Sequence, residues 1–128
     1  MDKTIFLTGI IFGVLAVIFG AFGAHGLEKL VDADAIQTWE TGVTYQMYHA
    51  LLLLILANVK AIPERQKKWI HYMIVAGIVL FSFSIYFLAT NTLTGFDFKT
   101  IGFVTPVGGL LLITGWVLFG INYRKGSK

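Results

Sequence analysis

No cysteine occurs in the chain, which rules out disulfides, thiolate metal sites and cysteine nucleophiles. Charge is scarce as well. Charged residues make up 13% of the 128 positions and hydrophobic residues 56%, whereas a soluble domain carries about 25% charged residues. Aspartate and glutamate are missing altogether from four long apolar stretches, near residues 5–24, 41–59, 70–89 and 101–123. That absence argues against proton-driven export of the kind that relies on a membrane-embedded carboxylate. No H-E-x-x-H motif, nucleophile elbow or phosphate loop occurs, so the expectation is a protein that is not an enzyme, with no catalytic residue.

Each of the four stretches approaches the roughly 20 residues that a helix needs to cross about 30 Å of hydrocarbon. In lipid the backbone must satisfy its own N–H and C=O groups, and runs of this length do so as helices. The expected fold class is therefore all-α, an integral membrane four-helix bundle forming a single transmembrane domain over residues 1–128. The first stretch exceeds the 7–15 apolar residues typical of a signal peptide and is read as a retained span.

The formal charge of +3 does not point to nucleic acid, because the basic residues flank apolar runs and form no patch. They read instead as topology signals. Lys3, the group Lys60, Arg65, Lys67 and Lys68, and the group Arg124, Lys125 and Lys128 mark three segments; Lys29 and Lys99 mark the other two. Eight against two places both termini and the 60–68 loop in the cytoplasm of a multi-pass plasma-membrane protein. Trp39, Trp69, Tyr72 and Tyr123 lie at span ends and fit interfacial aromatic belts. Asp34, with Gln37 three residues on, is the expected N-cap of the helix entering the second span. The loop before it, from Gly26 to Glu40, reads equally well as an amphipathic turn on the membrane surface or as a solvated connection.

Small residues recur along the first span at Gly9, Gly13, Ala16, Gly20 and Gly23, a heptad-like seam that permits close backbone approach. It serves either other helices of the same chain or a second copy, and three available helices favour the former. In the fourth span, Thr105-Pro106 reads as an N-cap followed by the first helical position; a start near Ile101 with a kink at Pro106 is the alternative. Gly108-Gly109 marks a place where another helix or a ligand comes close.

The chemistry-bearing positions inside the membrane are few. Gly42, Tyr45, Gln46 and His49 share one face of the second span. Counting 1.5 Å per residue puts His49 about 12 Å below Thr41, near the midplane. Ser82, Ser84 and Thr105 fall at similar depth and are its expected hydrogen-bond partners. Tyr45, Gln46, His49, Ser82, Ser84 and Thr105 thus form a candidate intramembrane polar site; the plainer reading is that they fasten helices together. His25, His49 and His71 lie at three different levels, which suits no haem, and neither cofactor nor metal is expected.

Three segments carry a resemblance: Gly20-Ala21-Phe22-Gly23-Ala24-His25-Gly26-Leu27, then Thr41 through Ala50 (TGVTYQMYHA), then Thr105-Pro106-Val107-Gly108-Gly109 with Gly115-Trp116 beyond. Together they resemble the bacterial family of small membrane proteins catalogued as domain of unknown function 423, similar to the eukaryotic transmembrane protein 256 group. The resemblance implies a four-span plasma-membrane protein and brings no reaction, substrate or cofactor. Phe83 departs from the smaller residue that the family pattern suggests, which puts packing of the third helix in question.

Two functions follow as expectations. One is a non-catalytic structural, assembly or accessory component embedded in the lipid bilayer, with a homo-oligomer or another membrane protein as partner. The other is a small carrier, or a lipid- or quinone-binding protein, whose site is the face around His49.

Overall fold

The computed structural model describes residues 1–95 and 97–126; Lys128, one of the counted cations, lies outside them. The order is α1 (Asp2–His25), a 3-10 turn (Leu27–Lys29), α2 (Ala33–Asn58), α3 (Glu64–Ile78), a π-helical turn (Val79–Phe83), α4 (Ser84–Ala89), 3-10 turns at Asn91–Leu93 and Phe98–Ile101, and α5 (Val104–Gly126). No strand occurs among the described residues. From α3 through α4 the chain runs as one rod, Glu64–Ala89. This rod, Asp2–Lys29 and Val104–Gly126 are each long and apolar enough to cross a membrane, by length and composition. α2 is as long, at 26 residues, but Tyr45, Gln46, Tyr48 and His49 interrupt its apolar run. The fold class is an all-helical membrane bundle.

Local chemistry explains the helix starts, with two corrections to the sequence-based expectation. The side chain of Asp32, not Asp34, caps α2, accepting from the Ala35 N–H at 2.8 Å. Asp34 lies inside the first turn, where the helix dipole favours a carboxylate. Thr105 does not cap α5, which starts at Val104. Pro106 is then its third residue, and its missing N–H falls among the first-turn groups that lack an intrahelical acceptor anyway.

α2 and the Glu64–Ala89 rod form the central pair, with α1 packed chiefly on α2 and α5 chiefly on the rod. Glycines set these distances. A Cβ at Gly9 would lie 2.8 Å from Leu54 Cδ2 and 2.9 Å from the Ala50 carbonyl oxygen, and one at Gly23 only 2.7 Å from Trp39 Cδ1. Gly13 is looser, with Ala50 Cβ at 3.9 Å. On the other side, Gly77 meets Leu112, Gly115 meets Ile74, and Gly108 rests directly on the backbone of Leu80 and Phe81. The regular third helix expected from sequence is broken at this crossing by the π turn. Phe83, the departure from the family pattern, stands edge-on to Phe12 and Phe19 with centroids 6.3 and 6.4 Å away.

One end of the bundle gathers both termini and the α2–α3 connection. Lys67 Nζ is buried and lies 2.9 Å from Asp2 Oδ1, the Met1 amine lies 3.9 Å from Glu64, and Gly126 packs against Ala61. Lys67, read from sequence as a loop cation, is thus a residue of α3 engaged in an ion pair. Trp69, Tyr72 and Tyr123 are exposed at this end. Trp39 is not, which corrects its reading as a belt residue: it is buried at the opposite end with Leu27, Tyr86 and Ala89.

Candidate functional site

Gln46 is fully buried, and both ends of its amide are engaged. Its Nε2 donates to the Phe12 carbonyl on α1 at 2.8 Å, and its Oε1 accepts from Tyr86 Oη on α4 at 2.7 Å. One side chain therefore ties three helices. Seven residues back along α2, Trp39 Nε1 donates to the Phe19 carbonyl of α1 at 2.8 Å. The acceptors 12 and 19 are a heptad apart, as are the donors 39 and 46. In an antiparallel pair, side-chain donors on α2 thus meet spare carbonyl lone pairs on α1 at one repeating spacing. The small residues Gly13, Ala16 and Gly20 on that face of α1 leave the carbonyls within reach.

The serines are used in the same way. Ser82 is buried and donates to the Gly42 carbonyl at 2.8 Å. Ser84 donates to the Phe81 carbonyl at 2.9 Å, so that at 2.6 Å it accepts from the Thr105 hydroxyl of α5. This second bond joins α4 to α5 beside the π turn.

His49 is held by two different groups. Nδ1 lies 2.6 Å from the Tyr45 carbonyl, which can only accept, and Nε2 lies 3.0 Å from Trp116 Nε1, which can only donate. Both bonds together require the neutral imidazole with its proton on Nδ1. A cationic ring would set one N–H against another and lose the tryptophan.

The expectation that His49 bonds to Ser82, Ser84 or Thr105 is therefore corrected. α2 begins eight residues before Thr41 and the rod six before Ile70. Depth counted from the ends of the apolar runs consequently misses the true register. Ser82 reaches Gly42, seven residues and about 10 Å above His49 along α2. Tyr45 also departs from the inward face: it is 42% exposed, with its ring 5.2 Å from Phe81 and 5.8 Å from Tyr48. The six candidate residues thus fall into separate hydrogen-bonded sets. Tyr86 and Trp116, absent from that set of six, complete two of them. A signal for both existed, because a tyrosine O–H or tryptophan N–H in mid-span needs an acceptor.

His25 is exposed at the end of α1, and His71 is buried in α3 with no hydrogen-bond partner for Nδ1 among the described residues. No group of three or more His, Asp or Glu among the described residues could hold a metal ion. Among the grooves on the bundle surface are five of about 240–430 Å³, and neither Gln46 nor His49 lines any of those five. Tyr86 does line one, of about 340 Å³, together with Phe19, Trp39, Phe83, Phe87 and Thr90. The arrangement can fix helices at a set spacing and register.

Residues 19–109 match the family described as "Protein of unknown function (DUF423)". The chain belongs to this family. A UPF0382 membrane protein from Staphylococcus saprophyticus is 39% identical over 123 residues, which is 96% of this chain and 98% of the relative. UPF0382 membrane proteins from Staphylococcus aureus and Staphylococcus epidermidis are each 38% identical, with 96% of this chain and 97% of the relative covered. No solved structure matches the chain. In this chain the resembling segments meet where Gly20 faces Val43 and where His49 binds Trp116, while Gly23 lies under Trp39 and Gly108 seats α5 on the π turn.

Proposed function

We propose that this protein spans the plasma membrane four times, with both termini and the 60–68 loop in the cytoplasm. In this reading it serves as a non-catalytic structural, assembly or accessory component. The observation that carries the reading is the pairing of the intramembrane polar groups. Gln46, Ser82, Ser84, Tyr86, Thr105, Trp116 and His49 are each bound to another group of the protein. Such groups are costly in hydrocarbon when left alone, and paired they hold helices together. The topology is supported by the gathering of Met1, Lys60, Lys67 and Lys125 at one end of the bundle, as the positive-inside tendency requires. α2, less apolar than its neighbours, crosses because Gln46 and His49 are covered by α1, α4 and α5.

Two labelling experiments test this. The chain has no cysteine, so single substitutions report cleanly. In intact cells an impermeant maleimide should label Glu28→Cys and spare Arg65→Cys, and the reverse pattern would overturn the topology. Diethylpyrocarbonate applied to the protein in liposomes should modify His25 and spare His49. Rapid modification of His49 from the aqueous side would instead favour a carrier or a lipid- or quinone-binding site at that residue.

A further inference from the structure

The outward face of α2 carries polar groups that the bundle does not engage. Thr41, Thr44, Tyr48, Leu51, Ile55 and Asn58 are all exposed, and their spacing of three, four, three, four and three draws one seam about 26 Å long on the helix. No charged residue interrupts it. Tyr48, in its middle, is 56% exposed. Neither its hydroxyl nor that of Tyr45 beside it has a hydrogen-bond partner among the described residues.

The depth of Tyr48 follows from its neighbour α1. Gln46 reaches the Phe12 carbonyl and Gly13 lies beside Ala50, so Tyr48 is level with the middle of the apolar run 5–24. The headgroups are then about 15 Å away, half the thickness of the hydrocarbon and farther than a tyrosine side chain reaches. Hydrocarbon offers a hydroxyl no partner, and leaving one unpaired there is costly. The seam also stands as a ridge between two hollows. Leu51 lines an apolar groove of about 270 Å³ on the α1 side, and Ile55 lines one of about 430 Å³ on the α5 side.

We propose that this face of α2 pairs with the same face of α2 in a second copy of the chain, about a twofold axis along the membrane normal. Equivalent positions meet at such an axis, and a hydroxyl both donates and accepts, so Tyr48 and Thr44 each find a partner in their own counterpart. The two α2 helices run in the same direction, and a repeat of 3.5 residues keeps them in contact along the whole seam. The side chains that flank the ridge of one copy settle into the hollows of the other. The small-residue seam of α1 has no part in this contact, because Gly9 and Gly23 are occupied within the chain. The dimer rests on the four-span reading, since Tyr48 lies in hydrocarbon only if α2 crosses.

The test uses single cysteines in the full-length chain, which has none of its own. In native membranes a short, membrane-permeant bismaleimide should link Leu51→Cys into covalent dimers and leave Val79→Cys, exposed on the rod, as monomer. In liposomes, energy transfer between dyes on Arg65→Cys reads dissociation as lipid is added. Tyr48→Phe keeps the ring and loses the hydroxyl, and should raise the dissociation constant about five-fold. Equal cross-linking at 51 and 79, a chain that stays monomeric at every lipid ratio, or an unchanged dissociation constant in Tyr48→Phe would overturn the dimer. Ready labelling of Leu51→Cys by an impermeant maleimide would overturn the four-span reading and the dimer with it, whereas a shielded but monomeric Leu51→Cys overturns the dimer alone.

Discussion

At the end that holds both termini, Ile5, Leu53, Leu56, Ile70, Ile74 and Ile78 are each fully buried, and the helices touch through aliphatic side chains and through Gly9 and Gly115. At the opposite end the buried groups are aromatic and bonded: Trp39 to Phe19, Gln46 to Phe12 and Tyr86, Ser82 to Gly42. Lipid tails are as apolar as isoleucine, so the first region gains nothing from hiding hydrocarbon and depends on close van der Waals fit. Close fit sets how near two helices lie, yet it lets them slide. Directional bonds to particular carbonyls forbid sliding. The two halves thus divide the labour of distance and register.

The largest effect should come from spoiling the fit. Gly9→Leu places a side chain where its first carbon already overlaps Leu54 and Ala50. It should cost about 3 kcal/mol, the upper part of the range for overpacked cores, as a loss of thermal stability in detergent. Gly13→Leu should be milder, because its first carbon meets Ala50 at 3.9 Å. Equal losses at 9 and 13 would mean that the seam does not set the distance.

Next comes the bonded half. Gln46→Leu strands the buried Tyr86 hydroxyl and removes the tie to Phe12, and it should cost about 1–3 kcal/mol in a chemical unfolding series. His49→Leu breaks one bond between helices, to Trp116, and one within α2, to the Tyr45 carbonyl, and should cost about 1 kcal/mol or less. It should also change Trp116 fluorescence, since the indole N–H loses its acceptor. A loss at His49 larger than at Gln46 would move the weight of the bundle to the α2–α5 contact. Smallest of all, Gly120→Ala should be neutral or stabilising by under about 1 kcal/mol, since the added methyl meets open space and alanine favours the helix.

Much of this arrangement was legible in the sequence. Apolar length alone marks the helices, and the small-residue spacing from Gly9 to Gly23 marks the face of α1 that meets α2. The polar stretch from Tyr45 to His49 stands out because it interrupts an apolar run. Pairing was not legible. Which carbonyl Gln46 reaches depends on how far α2 extends beyond Thr41, and Asp32 decides that by capping the helix two residues before Asp34. The bond between Ser84 and Thr105 depends on the π turn, whose only local hint is Phe83 where a smaller residue suits the family pattern. Trp116 was visible as a tryptophan in mid-span, but its partner follows from the crossing of α2 and α5, which hydropathy does not encode.

The central claim is that buried polar groups in this bundle act as fasteners between particular helices. A double-mutant cycle on Gln46→Leu and Tyr86→Phe, measured as unfolding free energy in the same detergent or bicelle, tests it most directly. The two atoms lie 2.7 Å apart with both residues buried, so the double variant should be about 1 kcal/mol less damaged than the sum of the single ones. Additivity within about 0.3 kcal/mol would show that the bond carries no coupling, and would contradict the account.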